Sequence, residues 1–495
     1  MSNRKTKRFI WVRIIVFLIL TGFVLSGLTK IFIPKYSYMN EWSTTVTYKK
    51  FYEIEKNTTD VLFLGSSRTM CSFLPQELYN KYGITSYNLG GEQQSIFVSY
   101  YWLKEALRFQ TPKAVVIEVK ELFFHKEGGL NMEESHLRKS MDYMKWSSVK
   151  KEAVDDICDL DESQDKVSYY FPIFRFHARW KELEEDDFSY DADDHDGFLK
   201  GYNVLSDRYG REYTPLEETG GSEEEMVESM VDYMDRIVEL CRQNHIQLIL
   251  VNTPYARRTV ENYNSVAAYA QKHQLPYYDF NLKKYYEEAG YDFASDNADS
   301  PHANIWGAIK ITDYLGRVLT EQYGIEPRKD AQWEETAVKF EQAKKDCELT
   351  KITDLSEYLS MLEDDRYSIL VAVKGEATKA LTGEILMFFR EKGLAIPLEN
   401  NENISYYAVI DGENVREEAG WESLSADGAL RNGRVRYEIT SEGKGSGDSC
   451  TINIDGEQYA PGKNGLNFVV YNNETRKVID SVCFDTGGPE WKATR

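Results

Sequence analysis

The chain has 495 residues, of which 42% are hydrophobic and 28% charged, and its formal net charge is −22. This length exceeds what one ordinary hydrophobic core encloses, so we expect at least two domains. The acidic balance argues against a nucleic-acid-binding protein, because such proteins present a basic face to phosphates.

The N-terminus is basic and then apolar. Five cationic residues precede an uncharged run over 14–29, which as a helix reaches about 24 Å. Flanking apolar residues at 9–12 and 31–33 extend it toward the thickness of a bilayer. Val24-Leu25-Ser26 is a poor cleavage site, which favours an uncleaved signal anchor over a cleaved signal peptide. We therefore predict a cytosolic tail and transmembrane anchor over 1–35, with the remainder of the chain extracytoplasmic.

Residues 36–325 alternate short apolar runs with helical segments. Continuous apolar runs are typical of strands buried on both faces of a parallel sheet, so we predict an α/β fold with a doubly wound parallel sheet. A helical insertion over about 121–245 interrupts the alternation. The predicted strands are Val61–Leu64, Tyr87–Leu89, Val115–Val119, Gln247–Val251 and Tyr277–Phe280.

The C-terminal third has a different pattern. Residues 326–364 are charged and predict a helical linker, and 365–495 predict a β-rich domain of short strands separated by Gly- and Asn-rich turns.

The six cysteines show neither a C-x-x-C pair nor metal-type spacing, so we predict no metal and no cofactor. Cys450 and Cys483 both lie in strand-like runs, which leaves a disulfide between them open.

Two short stretches carry the candidate chemistry. Ser67 follows an apolar strand in Gly65-Ser66-Ser67, where a strand-to-helix turn would expose its hydroxyl. Asp299 precedes His302 by three residues, a spacing that lets the carboxylate reach the imidazole. A serine nucleophile needs a base and the base needs an orienting carboxylate, so the two stretches together predict a serine enzyme. The alternative is that Ser67 only caps a helix.

These motifs resemble the SGNH/GDSL hydrolases. The resemblance covers about 60–320 and rests on Gly65-Ser66-Ser67, on Asn88-Leu89-Gly90-Gly91 and on D-x-x-H-x-N-x-x-G over 299–307. Within that family, the chain is similar in particular to the membrane-anchored branch that includes the teichoic-acid D-alanyl transfer protein. The resemblance implies that Ser67 is the nucleophile, His302 the base and Asp299 its orienter. It implies an oxyanion hole built from the N–H groups of Ser67 and of Gly90 or Gly91.

The sequence departs from the family pattern at two places. Family members carry an oxyanion-hole Asn after the third strand, where this chain has Glu118-Val119-Lys120-Glu121. Asn252, at the end of the next strand, is a weak substitute candidate. Arg68 follows the serine where the teichoic-acid branch has Glu. Both departures concern the chemistry of hydrolysis and not the fold.

The C-terminal region resembles the interleukin-like EMT inducer (PANDER-like) domain, through 465–471 and 482–486. That resemblance implies a β-sandwich-type module, and some members bind carbohydrate.

The sequence thus predicts an extracytoplasmic O-acyl esterase or O-acyltransferase acting on a cell-envelope polysaccharide or teichoic acid, with a membrane-bound O-acyltransferase as an implied partner. The alternative is a non-catalytic carbohydrate-binding scaffold with a decayed SGNH domain.

Overall fold

The computed structural model forms two compact units, Met1–Phe340 and Glu341–Arg495. The boundary between them falls within the stretch predicted as a linker. The residues described are 2–34, 44–123, 130, 132–184, 187–188, 197–377, 383–396, 403–431, 433, 435–447, 449–486 and 491–495. Most of the acidic run at 184–194, in the middle of the predicted insertion, lies outside them.

The first unit is built on a parallel sheet of five strands in the order β2-β1-β3-β4-β5. Every residue of β1, β2 and β3 is buried, which explains why β1 and β3 are visible in the sequence as short apolar runs. The predicted α/β fold with a parallel sheet is confirmed. The strands are β1 (Val61–Gly65), β2 (Ser86–Gly90), β3 (Ala114–Glu118), β4 (Gln247–Asn252) and β5 (Tyr277–Asp279).

Helices cover both faces of this sheet. Leu62 and Leu64 of β1 share one apolar core with residues of α5 and α10, whereas α13 packs against α3 and α4. The helices of this unit are α1 (Ser2–Phe32), α2 (Thr44–Phe51), α3 (Ser67–Ser72), α4 (Pro75–Tyr82), α5 (Ile96–Ala106), α6 (Glu134–Met141), α7 (Ser148–Leu160), α8 (Lys166–Tyr170), α9 (Ile173–Phe176), α10 (Glu228–Gln243), α11 (Val260–His273), α12 (Lys283–Ala289) and α13 (Ile305–Glu321).

Two segments of this unit lie outside the sheet and its covering helices. Helices α6 to α9 fall within the predicted insertion, with 3₁₀ helices at Lys120–Leu122 and His177–Lys181. Within α1, the segment Phe9–Phe32 is long and apolar enough to cross a membrane, and none of its most apolar stretch is buried. A signal sequence near an N-terminus has the same length and composition.

Helix α14 (Ala331–Leu349) spans the boundary between the units. The described part of the second unit contains a sheet of ten strands, with α15 (Leu355–Met361) before it and α16 (Gly383–Glu391) after its first strand. Alternate residues of its central strands enter two separate apolar cores, one on each face of the sheet. The predicted β-rich domain is confirmed. The strands are β6 (Tyr367–Gly375), β7 (Ser405–Asp411), β8 (Asn414–Gly420), β9 (Leu424–Ala429), β10 (Arg436–Gly443), β11 (Cys450–Ile454), β12 (Glu457–Gln458), β13 (Gly465–Asn472), β14 (Lys477–Asp485) and β15 (Lys492–Thr494).

The two cysteines of the open disulfide question are both free, buried thiols in this structure. Burial raises the pKa of the Cys450 thiol to about 12 and, as the largest cause, that of Cys483 to about 12. At neutral pH both are therefore protonated and poorly nucleophilic.

Candidate active site

The turn that carries Ser67 depends on a glycine. Strand β1 ends at Gly65 and α3 begins at Ser67, so a single residue separates strand from helix. Gly65 has φ +141°, and a Cβ there would lie 2.4 Å from Thr69 Oγ1 and 2.9 Å from Glu118 Cβ. Any side chain would therefore collide with its neighbours. Because Ser67 is the first residue of α3, its N–H has no partner within the helix.

The loop that carries His302 is fixed by a helix cap. Asn304 precedes α13, and its Oδ1 accepts a hydrogen bond from the Gly307 N–H at 3.1 Å. Its Nδ2 donates to the backbone oxygens of Ser295 and Asp207, at 2.8 and 3.1 Å. The Asn and Gly of the D-x-x-H-x-N-x-x-G motif thus hold the loop in place, whereas its Asp and His carry the candidate chemistry.

The structure brings the two predicted stretches together. Ser67 Oγ lies 2.8 Å from His302 Nε2. His302 Nδ1 lies 2.9 and 2.8 Å from the two carboxylate oxygens of Asp299, and the His302 N–H donates to Asp299 Oδ1 at 2.9 Å. The imidazole is 11% exposed and the carboxylate 49% exposed. This is the hydroxyl–imidazole–carboxylate geometry of a serine nucleophile and its base.

The predicted oxyanion-hole glycines are placed differently from the expectation. Strands β1 and β2 pair in a register that sets Gly65 opposite Gly90. The Gly91 N–H donates to the Gly65 carbonyl oxygen at 3.1 Å, and the Gly90 N–H donates to Asn88 Oδ1 at 3.0 Å. Both N–H groups already have acceptors, so this geometry does not support either glycine as an oxyanion donor.

Asn252 is also used elsewhere. Its Nδ2 donates to Asp279 Oδ2 at 3.1 Å, and its Oδ1 accepts from Arg68 Nη2 at 3.2 Å. The amide is fully buried. The prediction of Asn252 as a substitute oxyanion donor is therefore not supported, and the Ser67 N–H is the predicted donor that stays available.

Arg68, the residue after Ser67, forms a buried ion pair with Glu118. Arg68 and Glu118 are 1% and 0% exposed, and Arg68 Nη1 lies 3.5 Å from Glu118 Oε1. Arg68 Nε donates to Thr253 Oγ1 at 3.0 Å, and its Nη2 donates to the Thr253 carbonyl oxygen. Glu118 accepts from Ser66 Oγ and from the Lys120 N–H, each at 3.2 Å. The residues flanking Ser67 thereby anchor the turn to the ends of β3 and β4.

Two further acids beneath this edge have shifted pKa values. Burial raises the pKa of Glu121, an effect that Lys120 partly offsets. Burial also tends to raise the pKa of Asp279, but Arg258 and hydrogen bonds from Tyr277, Asn281 and Asn252 outweigh it, so the pKa is lowered. Of these two acids, Asp279 is therefore the one whose ionised form the protein stabilises.

Sequence reasoning missed the Arg68–Glu118 pair as a structural feature. Both residues were noted only as departures from a family pattern. Their positions after β1 and at the end of β3 offered a signal, because the carboxyl ends of parallel strands meet at one edge. Within the described residues, no group of three or more His, Cys, Asp or Glu side chains is placed to hold a metal ion.

Comparison with known proteins yields a distant structural likeness and no family assignment. No protein-family model and no curated protein matches the chain. Among solved structures, it is similar to "a putative lipolytic protein of G-D-S-L family" from Desulfitobacterium hafniense DCB-2, at 15% identity and a TM-score of 0.26, covering 53% of this chain and 100% of that one. At this level of similarity, the match carries no conclusion about activity.

Proposed function

We propose that the protein is an SGNH-type serine esterase or acyltransferase that forms an acyl intermediate on Ser67. The observation that carries the proposal is the contact of Ser67 Oγ with His302 Nε2 at 2.8 Å, with Asp299 on the opposite ring nitrogen. An isolated histidine is usually structural, but one held between a hydroxyl at a strand end and a carboxylate has the arrangement that nucleophilic catalysis requires.

The mechanism follows from the positions of the protons. His302 accepts the Ser67 proton at Nε2 as Oγ attacks the acyl carbonyl carbon, and Asp299 holds the Nδ1 proton and stabilises the imidazolium. The proton then passes to the departing alcohol oxygen as the ester bond breaks, which leaves acyl-Ser67. His302 next deprotonates the acceptor hydroxyl, from water or a sugar, whose oxygen attacks the acyl carbon. As the bond from that carbon to Ser67 Oγ breaks, the proton returns from His302 to Oγ and restores the free serine. The Ser67 N–H faces the oxygen that becomes negative.

We propose a cell-envelope polysaccharide or teichoic acid as the acceptor or substrate, at the extracytoplasmic face of a membrane crossed by α1. The apolar segment Phe9–Phe32 and its basic N-terminal flank support an anchor. The family resemblance supports ester chemistry on envelope polymers, with a membrane-bound O-acyltransferase as acyl donor. The β-rich second unit would bind the polysaccharide.

A second candidate is a carbohydrate-binding scaffold without catalysis. It is favoured by the three predicted oxyanion donors that already have acceptors, Gly90, Gly91 and Asn252. Losing one such donor costs about 3–4 kcal/mol of transition-state stabilisation in serine hydrolases. The contact of Ser67 with His302 favours the enzyme.

A fluorophosphonate probe separates the two candidates, because it reacts only with an activated serine. We expect the full chain to be labelled and Ser67→Ala to abolish the label. Ser66→Ala is the matched control: Ser66 is adjacent in sequence, but its hydroxyl binds Glu118. Absence of labelling in the unmodified chain, or equal labelling in Ser67→Ala, would refute the enzyme proposal.

A further inference from the structure

Four large aromatic side chains are exposed in the insertion of the first unit. Trp146, Phe171, Phe174 and Trp180 are 63%, 49%, 60% and 63% exposed. The Phe171 ring centroid lies 5.7 Å from that of Trp146 and 6.2 Å from that of Phe174. Trp180 lies on the 3₁₀ helix that directly follows α9. We call these four residues the aromatic patch. Exposed aromatic groups in such number mark an interaction surface.

The aromatic patch adjoins the end of the apolar helix. Helix α1 contacts both α9 and the following 3₁₀ helix, and Arg179 Nη1 donates to the Phe32 carbonyl oxygen at 2.7 Å. Phe32 is the last residue of the 24-residue apolar segment. A helix of that length spans about 36 Å, against a hydrocarbon thickness of about 30 Å. If α1 crosses a bilayer, Phe32 lies where hydrocarbon gives way to headgroups.

The charged residues around the aromatic patch are of the kind found at the boundary between lipid hydrocarbon and headgroups. Lys145 and Lys181 are exposed cations beside Trp146 and Trp180, and Lys181 Nζ lies 5.2 Å from the Trp180 ring centroid. Arg175 pairs with Glu134 at 2.8 Å. Aromatic rings interspersed with long cationic side chains are characteristic of the membrane–water interface. Glu182 and Glu184 are also exposed there, so aromatic burial, and not attraction to anionic lipid, would provide the affinity.

We propose that the aromatic patch inserts into the lipid headgroup region at the end of α1, as a second membrane contact of the first unit. This proposal rests on α1 crossing the bilayer, which is part of the proposed function, and not on the chemistry of Ser67. Two contacts, one through α1 and one through the insertion, would hold the first unit against the membrane surface and stop it from swinging on a single tether.

The test uses the full chain in phosphatidylcholine nanodiscs, with and without lipids brominated near the headgroup end of the acyl chains. Bromine quenches nearby tryptophan fluorescence, and single Trp→Phe variants reveal what each residue contributes. We expect brominated lipid to quench the Trp146 and Trp180 contributions, because interfacial tryptophans lie at the level of the headgroups. Trp333→Phe is the control, because Trp333 is buried against Tyr79 within the first unit, and we expect its contribution to be unchanged.

Trp11→Phe supplies the remaining arm, since Trp11 lies within the apolar segment of α1. Quenching of Trp11 without quenching of Trp146 and Trp180 would overturn the proposal and indicate a protein partner for the aromatic patch. No quenching of Trp11 would overturn both the anchor and the proposal, whereas labelling of Ser67 would still test the chemistry separately. Thermal unfolding of each variant checks that the aromatic exchange leaves the fold intact.

Discussion

The two sheets of the molecule distribute polar groups in opposite ways. In the first unit, parallel strands β1, β3 and β4 end at one edge, where Ser67, Arg68, Glu118 and Asn252 converge. In the second unit, antiparallel pairing of β6 with β13 sends strand ends in both directions, and apolar cores cover both faces. Parallel strands therefore bring polar side chains from several strand ends to one edge of the sheet, whereas antiparallel strands place their ends at both edges.

The largest expected effect comes from removing the base at this edge. We expect His302→Ala to slow fluorophosphonate labelling by about 10⁴-fold or more, because Ser67 then has no proton acceptor. Time-resolved labelling measures the rate constant. His273→Ala is a matched control, since His273 also faces a carboxylate, Asp235, at 3.3 Å. Loss of less than about tenfold in His302→Ala would remove the base from the mechanism.

The buried ion pair gives the next largest effect, on stability. Arg68→Met leaves Glu118 buried without its cation, and we expect a loss of about 3–5 kcal/mol in the free energy of unfolding of the first unit. Denaturant unfolding measures it. Arg68→Lys should recover part of the loss by restoring a positive charge, and a purely steric role for Arg68 would instead make Met the better tolerated residue.

The buried acid Asp480 of the second unit can be compared with Arg68 of the first unit, because each is a buried member of an ion pair. Asp480 is 5% exposed, and both its oxygens accept from Arg495, at 2.8 and 3.0 Å. We expect Asp480→Asn to lower stability by about 1–3 kcal/mol while leaving the labelling of Ser67 unchanged. A change in labelling rate would contradict the separation of the two sheets into a chemical one and a structural one.

Asp299→Asn should have a smaller effect than His302→Ala. In the proposed mechanism the carboxylate orients His302, and because it is 49% exposed, we expect solvent to replace part of its effect in the variant. We expect the labelling rate to fall by about 10²-fold, less than the 10⁴-fold known for a buried triad carboxylate. An unchanged rate would show that the contact of Asp299 with His302 Nδ1 only shapes the loop.

The smallest predicted effect is a pH-dependent gain in stability. Burial raises the folded-state pKa of Glu121 above its unfolded value, so the ionised form disfavours folding. That cost is absent below the unfolded pKa, about 4.3, and develops as the pH rises through the folded pKa. We expect Glu121→Gln to raise the thermal midpoint by about 2 °C at pH 8 and to change it little at pH 4. Equal shifts at both pH values would contradict this.

Much of the fold was predictable, because β1 and β3 are apolar runs, β4 is apolar between its polar end residues, and β6 and β13 are predominantly apolar. Strand β8, Asn-Val-Arg-Glu-Glu-Ala-Gly, was not predicted, because among the described strands it pairs with β7 alone and leaves charged side chains in solvent. Ser67, Asp299 and His302 were found through motif spacing. The Gly91 N–H is occupied through the register of β2 against β1, which one sequence does not reveal, and the Gly90 N–H through a local turn of the Asn88 side chain.

Arg68 and Glu118 were not predicted as buried, because charged residues are ordinarily exposed and become buried only when paired. Their pairing depends on two strands that lie far apart in sequence and adjacent in the sheet. The sequence therefore predicted the residues that resemble a catalytic set more readily than the residues that hold it.

The central claim is that Ser67 is an activated nucleophile, and locating the covalent adduct tests it most directly. After reaction of the full chain with a fluorophosphonate, peptide mass spectrometry should find one adduct, on Ser67, with Ser66 unmodified and the adduct absent in His302→Ala. An adduct on another residue, or labelling of Ser67 that does not depend on His302, would contradict the account.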